Sequence, residues 1–231
     1  MTTSVLRFEK IKSFTAINLS ESHVYRFSYT PNANPERTHF NRILIGKSGL
    51  SRNIQRAFDK LEVKPRKNAV LAMDCILSLS NDAFTCEADI NKFHKASKDF
   101  INKTFKGRCV SAVIHLDETT PHVHALILPL EKKDGRWKLN ARNMFSKKYL
   151  SKYQKKYYEH MKLVFPKLSP PNFGAKAEHK KISTYYNEVN NMNTSMSKRK
   201  SELESLLSKT RDYSTENHNE YNIRYKLKNR F

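Results

Sequence analysis

The chain has no apolar run long enough to cross a bilayer and no strongly apolar helix face that would seat it in one, so membrane insertion is not expected. Nor does its N-terminus read as an export signal. MTTSVLRFEKIK places a charge every few residues where a signal needs an unbroken apolar stretch, which points to the cytoplasm. Cysteine is scarce. Cys75, Cys86 and Cys109 are odd in number and lack the paired spacing of a zinc knuckle or a disulfide framework, so all three read as reduced packing residues. Acidic residues are outnumbered two to one: 22 Asp and Glu stand against 43 Lys and Arg, a formal charge of +21. A chain so charged repels itself unless its normal partner is a polyanion, and nucleic acid is the leading candidate.

What is present suffices for one substantial core, since 38% of the 231 residues are hydrophobic. The basic excess is clustered: from Lys132 to Lys181, 15 Lys and Arg stand against Asp134, Glu159 and Glu178. That stretch is the expected backbone-binding face. Ser4 to Phe8 reads as a short strand, whereas the segment holding His23 and Arg26 gives no clear pattern. A helix is expected over Ile54 to Glu62, a strand over Asn68 to Ser80, and a helix over Glu87 to Lys106. In that helix Ile90, Phe93, Ser97, Phe100, Ile101 and Phe105 recur at steps of three and four, and Gly107 ends it. Arg108 to Leu116 and His122 to Leu130 read as two apolar strands joined by the short DETTP loop, a hairpin. A DG turn at KKDGR leads to Trp137 and a short strand. A last helix starts at Ser146 as N-cap, with Leu150, Tyr153, Tyr157, Met161 and Val164 on one face until Pro166.

The hairpin carries the chemistry. Strand alternation puts His122 and His124 on one face, two residues apart, and the partner strand can present His115 to the same point. Three neutral imidazoles with open positions suit a divalent ion that must also hold substrate. A structural zinc site would want a fourth protein ligand, and no cysteine is near in sequence. Asp117 and Glu118 in the loop are open to three roles: fourth ligand, partner orienting an imidazole, or general base.

HLDETTPHVH, His115 to His124, resembles the third motif of the plasmid mobilisation relaxases of the Pre/Mob (MobV) family. These belong to the wider class of single-strand endonucleases marked by a histidine-hydrophobic-histidine (HUH) triplet, here His122-Val123-His124. HVYR, His23 to Arg26, looks like the family's first motif, whose histidine is the proposed nucleophile. NPERTHFNRIL, Asn34 to Leu44, resembles the second. The match continues through RKNAVL, the helix start at Met144 and Phe145, and EHKKIS up to about residue 185. One departure stands out. Where the family reads Asn-Tyr-acid-Leu, this chain reads Asn41-Arg42-Ile43-Leu44.

The resemblance implies an α+β fold, an antiparallel sheet flanked by helices, as a relaxase domain over 1–185. The polar segment 186–231 is expected to be helical or partly disordered. The family implies bacterial, cytoplasmic work: nicking single-stranded or hairpin DNA at an origin of transfer, with contacts to conjugation coupling machinery. A longer C-terminal coiled-coil region, common in the family, would be the place to dimerise. Manganese is the expected ion, with magnesium or zinc as alternatives.

On this reading His115, His122 and His124 hold the ion, His23 attacks phosphorus, Glu118 accepts the imidazole proton, and Arg26 clamps a neighbouring phosphate. Tyr25 and Tyr29 are rival nucleophiles, as tyrosine serves in most of the wider class. Arg37, Arg66, Lys67, Lys147, Lys148, Lys152, Lys155 and Lys180 are the expected DNA contacts. Trp137, Phe145, Tyr149 and Tyr153 are available for base stacking or, at their helical spacing, for the core. Two other classes compete: a metal-stabilised DNA-binding repressor that does not cut, and a zinc hydrolase of small substrates, which the basic charge disfavours.

Overall fold

A computed structural model describes residues 2–171 and 194–204. Residues 2–171 belong to one compact body built on a five-stranded antiparallel sheet with strand order β1-β3-β5-β4-β2. Its strands are β1 (Ser4–Ile11), β2 (Arg42–Gly46), β3 (Ala72–Leu79), β4 (Cys109–His115) and β5 (His122–Ile127). Alternation along β5 sorts the two faces. Val123, Ala125 and Ile127 point into a large core with α3 (Glu87–Phe105), whose buried Phe93, Phe100, Ile101 and Phe105 meet Tyr157 and Met161 of a later helix (Lys147–Lys162). Leu126 points the other way, into a smaller core with Ile17 of α1 (Phe14–Val24) and Leu50, Ile54 and Phe58 of α2 (Leu50–Lys60). His122 and His124 share the face of Leu126.

The expected elements are present with shifted ends. The strand foreseen over Asn68 to Ser80 starts four residues late, and the helix foreseen from Ile54 begins at Leu50. The hairpin forms as read, with His115 directly opposite His122 and Val113 opposite His124. The DG turn joins β6 (Leu130–Lys133) to β7 (Arg136–Leu139), with Asp134 at φ 52 and Gly135 at φ 77, the left-handed pair that such a turn requires. After it comes the short α4 (Ala141–Met144), then α5 (Lys147–Lys162). Ser146 occupies the N-cap position of α5 but makes no side-chain capping bond.

Two elements around the functional motifs were not read from the sequence. Helix α1 buries only Ile17 and Val24, so it shows little apolar periodicity. Ser13 caps it by accepting the Ala16 amide, and Glu21 receives the Gly49 and Leu50 amides at the start of α2, tying the two helices together. Strand β2 is short and carries a register shift between Ile43 and Ile45 against β4. It ends at Gly46, φ 72, where a Cβ would collide with the Val110 carbonyl.

Cys75 is buried and Cys109 half-buried, but Cys86 is exposed at the N-cap of α3, so it is not a packing residue. Among the described residues no helix is long and apolar enough to cross a membrane. Residues 194–204 form a helix with exposed side chains, including Met196 and Leu203, and carry a Lys200–Glu204 ion pair.

Candidate active site

The three loop-facing histidines of the β4–β5 hairpin come together with one residue from α1. The ring centroids of His115, His122 and His124 lie 5.0 to 5.1 Å apart, and His23 packs edge-on against His115 at 5.6 Å and His124 at 5.2 Å. Each hairpin imidazole has one nitrogen turned toward an oxygen that can only accept. His115 Nε2 donates to the Val24 carbonyl and His122 Nδ1 to the Thr120 carbonyl, each at 2.8 Å, while His124 Nδ1 faces Asp74 Oδ1 at 3.4 Å. Those partners set the tautomers and leave a lone pair on His115 Nδ1, His122 Nε2 and His124 Nε2.

His115 Nδ1 is buried and has no hydrogen-bond partner among the described residues. An orphaned nitrogen of this kind in a fully buried ring costs stability unless something coordinates it, so the donor set fits a divalent ion. The compact groupings are nevertheless not the triplet foreseen from the sequence. Donor atoms of His23, His115 and His124 lie within 4.8 Å of one another, and so do those of His115, Glu118 and His122. His115 is common to both. The split follows from the Thr120 bond, which turns His122 Nε2 toward Glu118 Oε1 at 3.9 Å, the same oxygen that lies 3.8 Å from His115 Nδ1.

Burial, with His124 next, pushes His23 down to about 4; burial, with His124 and His122, pushes His115 down to about 2. Both are neutral at pH 7, whereas in the unfolded chain they titrate near 6.5. The folded state therefore binds fewer protons than the unfolded one below that value. The stability involved is fully present above pH 6.5 and is lost as pH falls, down to about 4 for His23 and about 2 for His115. Thermal melts in chelator should show the midpoint dropping between pH 7 and pH 5, with a smaller drop in His23→Phe; a midpoint flat across that window would refute the shifts.

His23 and Arg26 sit where α1 ends. Arg26 adopts a left-handed φ of 57 and Phe27 N–H closes the helix on the Ser22 carbonyl. The Arg26 side chain does not reach outward as a phosphate clamp. Its Nε and Nη2 donate to both oxygens of Asp117 at 2.9 and 2.8 Å, Nη2 also to Glu118 Oε1 at 2.7 Å, and Nη1 to the His23 carbonyl at 2.8 Å. Asp117, 2% exposed, also accepts from Thr38 Oγ1 and Asn41 Nδ2, and its carbonyl accepts the Asn34 amide. Burial would raise its carboxyl, but the bonds from Arg26 and then Asn41 hold it well below the usual carboxylate range. Asn41 further accepts the Leu116 amide. One buried carboxylate thus joins all three motifs.

Glu118 accepts from Arg26 and from Asn32 Nδ2, and no hydrogen bond joins it to His23. Of the rival nucleophiles, the Tyr25 hydroxyl is paired with Ser111 Oγ at 2.9 Å, four residues along β4 from His115, a run of about 13 Å. Burial also raises its pKa. Tyr29 is 82% exposed.

The expected DNA contacts are scattered. Arg37 is exposed on a short turn of 3-10 helix, Pro35–Phe40. Lys147, Lys148, Lys152 and Lys155 are exposed on α5, which packs on the sheet face opposite the histidines. Arg66 and Lys67 lie in the loop before β3, and Lys180 falls outside the described residues. Phe145 is 4% exposed and Tyr153 half-buried in one aromatic cluster with Phe8 and Phe105, so neither is free to stack on a base; Tyr149 is exposed.

An antiparallel sheet sandwiched by helices, with a histidine-hydrophobic-histidine strand at its centre, defines the class of the fold, and comparison identifies the family. The family model described as plasmid recombination enzyme matches residues 1–187, and the chain belongs to this Mob_Pre family. A 65 kDa protein of Zymomonas mobilis is 31% identical over 196 residues, 81% of this chain and 33% of that protein. A plasmid recombination enzyme from a Bacillus species is 28% identical over 218 residues, 88% of this chain and 52% of that protein. The chain therefore spans a third to a half of the length of these curated relatives. Among solved structures, the MobM relaxase domain bound to a 22-nucleotide plasmid pMV158 oriT DNA and manganese shares the fold. Its TM-score is 0.71 at 24% identity, covering 80% of this chain and 99% of that one.

Proposed function

We propose that this chain is a relaxase that nicks one DNA strand at a plasmid or mobile-element origin, with His23 as nucleophile. The observation that carries the reading is the placement of the His23 ring, neutral and without a side-chain hydrogen bond among the described residues, against His115 and His124. Family membership and the oriT DNA and manganese in the MobM structures support the substrate and the ion.

His115, His122 and His124 would hold a divalent ion, manganese first, with Glu118 beside the first two. Such an ion supplies positive charge to the non-bridging oxygens of a phosphate. The lone pair of one His23 nitrogen attacks phosphorus, and the bond to the 3′ oxygen breaks. A phosphoramidate is left on the 5′ side, and the proton released from the other His23 nitrogen ends on the 3′ oxygen as a free hydroxyl. Religation is the reverse. Arg26 acts as a positioning residue, fixing the His23 carbonyl and Glu118 while Asp117 holds it in place.

Incubation with manganese and labelled single-stranded DNA from the element's own origin should yield a covalent adduct that is absent in His23→Ala. Adduct formation at the parental rate in that variant would overturn the nucleophile. Binding without cleavage by the parental chain would favour a repressor.

A further inference from the structure

The two compact donor groupings share His115, and they differ in what their other members already hold. In the set of His115, Glu118 and His122 the carboxylate is engaged. Glu118 Oε1, the oxygen that faces both imidazoles, accepts from Arg26 at 2.7 Å, and Oε2 accepts from Asn32. A cation there would sit beside the fixed positive charge of the guanidinium. In the set of His23, His115 and His124 no donor is so committed. The His23 ring makes no side-chain hydrogen bond and His115 Nδ1 is buried without a partner among the described residues, while His124 Nε2 is free because Nδ1 faces Asp74.

The surroundings of this set favour positive charge. Asp74 behind His124 makes that imidazole a stronger donor, as carboxylates behind metal-bound histidines do. Helix α1 ends at the same point, with His23 in its last turn and the Val24 carbonyl on His115 Nε2, so the partial negative charge of a helix C-terminus faces the cluster. The distances also suit. Nitrogens about 2.1 Å from one ion stand about 3.4 Å apart in a tetrahedral set. No donor pair here exceeds 4.8 Å, so each donor need move by at most about 0.7 Å, within the reach of a side-chain rotation.

We infer that in the DNA-free protein a divalent cation seats on His23, His115 and His124, so that the attacking histidine is itself a metal ligand until the strand arrives. The inference rests on the metal centre and the His23 chemistry proposed above. While the ion holds His23, the lone pair that attacks phosphorus is engaged. An incoming phosphate oxygen takes its place: the bond from the His23 nitrogen to the metal breaks, a bond from oxygen to the metal forms, and the ring is released beside the phosphorus. His122, held by Thr120 and turned toward Glu118 in the resting arrangement, becomes a ligand only on that exchange. The identity of the ion tunes the step. Imidazole suits zinc whereas manganese and magnesium favour oxygen donors, so zinc holds His23 fast and manganese gives it up.

The test is calorimetric titration of the full chain without DNA, once with manganese and once with zinc. His23→Ala should lose about tenfold affinity for manganese and about a hundredfold for zinc, whereas His122→Ala should lose less than about threefold for either. Cooperative melting in chelator shows that each variant is folded. A second readout needs no substitution: in nitrogen NMR of the parental chain with labelled histidines, zinc should move the ring signals of His23, His115 and His124 and leave those of His122 in place. Unchanged affinities in His23→Ala, a larger loss in His122→Ala than in His23→Ala, or an unmoved His23 ring signal would overturn the ligand set. If any of these accompanies an adduct on His23, the nucleophile stands and only its masking by the ion falls. A loss of metal affinity in His23→Ala, in a protein whose parental chain forms no adduct on its own origin, would overturn the nicking reading and leave the ligand set standing.

Discussion

His115→Ala should abolish nicking and lower manganese affinity by at least about a hundredfold, the upper end of what even an outer-shell partner of a metal site costs. His115 is fully buried, is shared by both compact donor groupings, and has its other nitrogen already committed to the Val24 carbonyl. No neighbour can take over a donor at that point. The cavity left behind will itself cost stability, on the order of 2 to 4 kcal/mol, so activity alone does not separate ligand from packing residue. Metal linkage does. At manganese a hundred times its dissociation constant, the parental domain should gain about 2.7 kcal/mol over its chelated state. His115→Ala, still melting cooperatively in chelator, should gain nothing. A manganese-dependent rise in melting temperature that survives the substitution would remove His115 from the ion.

Asp117→Ala should cost about 3 to 5 kcal/mol, because it strands the Arg26 guanidinium without its main counter-charge. The Asp117 side chain has no solvent exposure and that of Arg26 has 8%, so water cannot substitute. The same change releases Thr38 and Asn41 and, through Arg26, the end of α1 on which His23 rides. Urea unfolding measures the loss. In a double-mutant cycle with Arg26→Met, the pair should cost less than the sum of the singles by more than about 1 kcal/mol. Strict additivity, or a single cost under about 1 kcal/mol, would contradict the network.

The hairpin was legible because its signal is local: a two-residue histidine spacing on an alternating strand, and a partner strand seven residues away. The lining of His23 was not. Helix α1 buries too few residues to announce itself, and only the likeness of HVYR to a family motif drew attention to it. The partnership of Arg26 with Asp117 spans 91 positions and leaves no periodic trace. Asn41 drew notice only as part of a motif, and its role appears once its side chain is seen bridging Leu116 and Asp117. The basic run was visible as charge, but which face carries it depended on Tyr157 and Met161 docking α5 behind the sheet.

The proposed reaction turns on a nitrogen–phosphorus bond at His23. The direct measurement is to trap the manganese-loaded protein on its origin strand, digest the adduct, and follow its stability in acid while mapping the modified peptide. An adduct lost in mild acid and mapped to His23 is the expected result. An acid-stable adduct on Tyr25 or Tyr29 would contradict it.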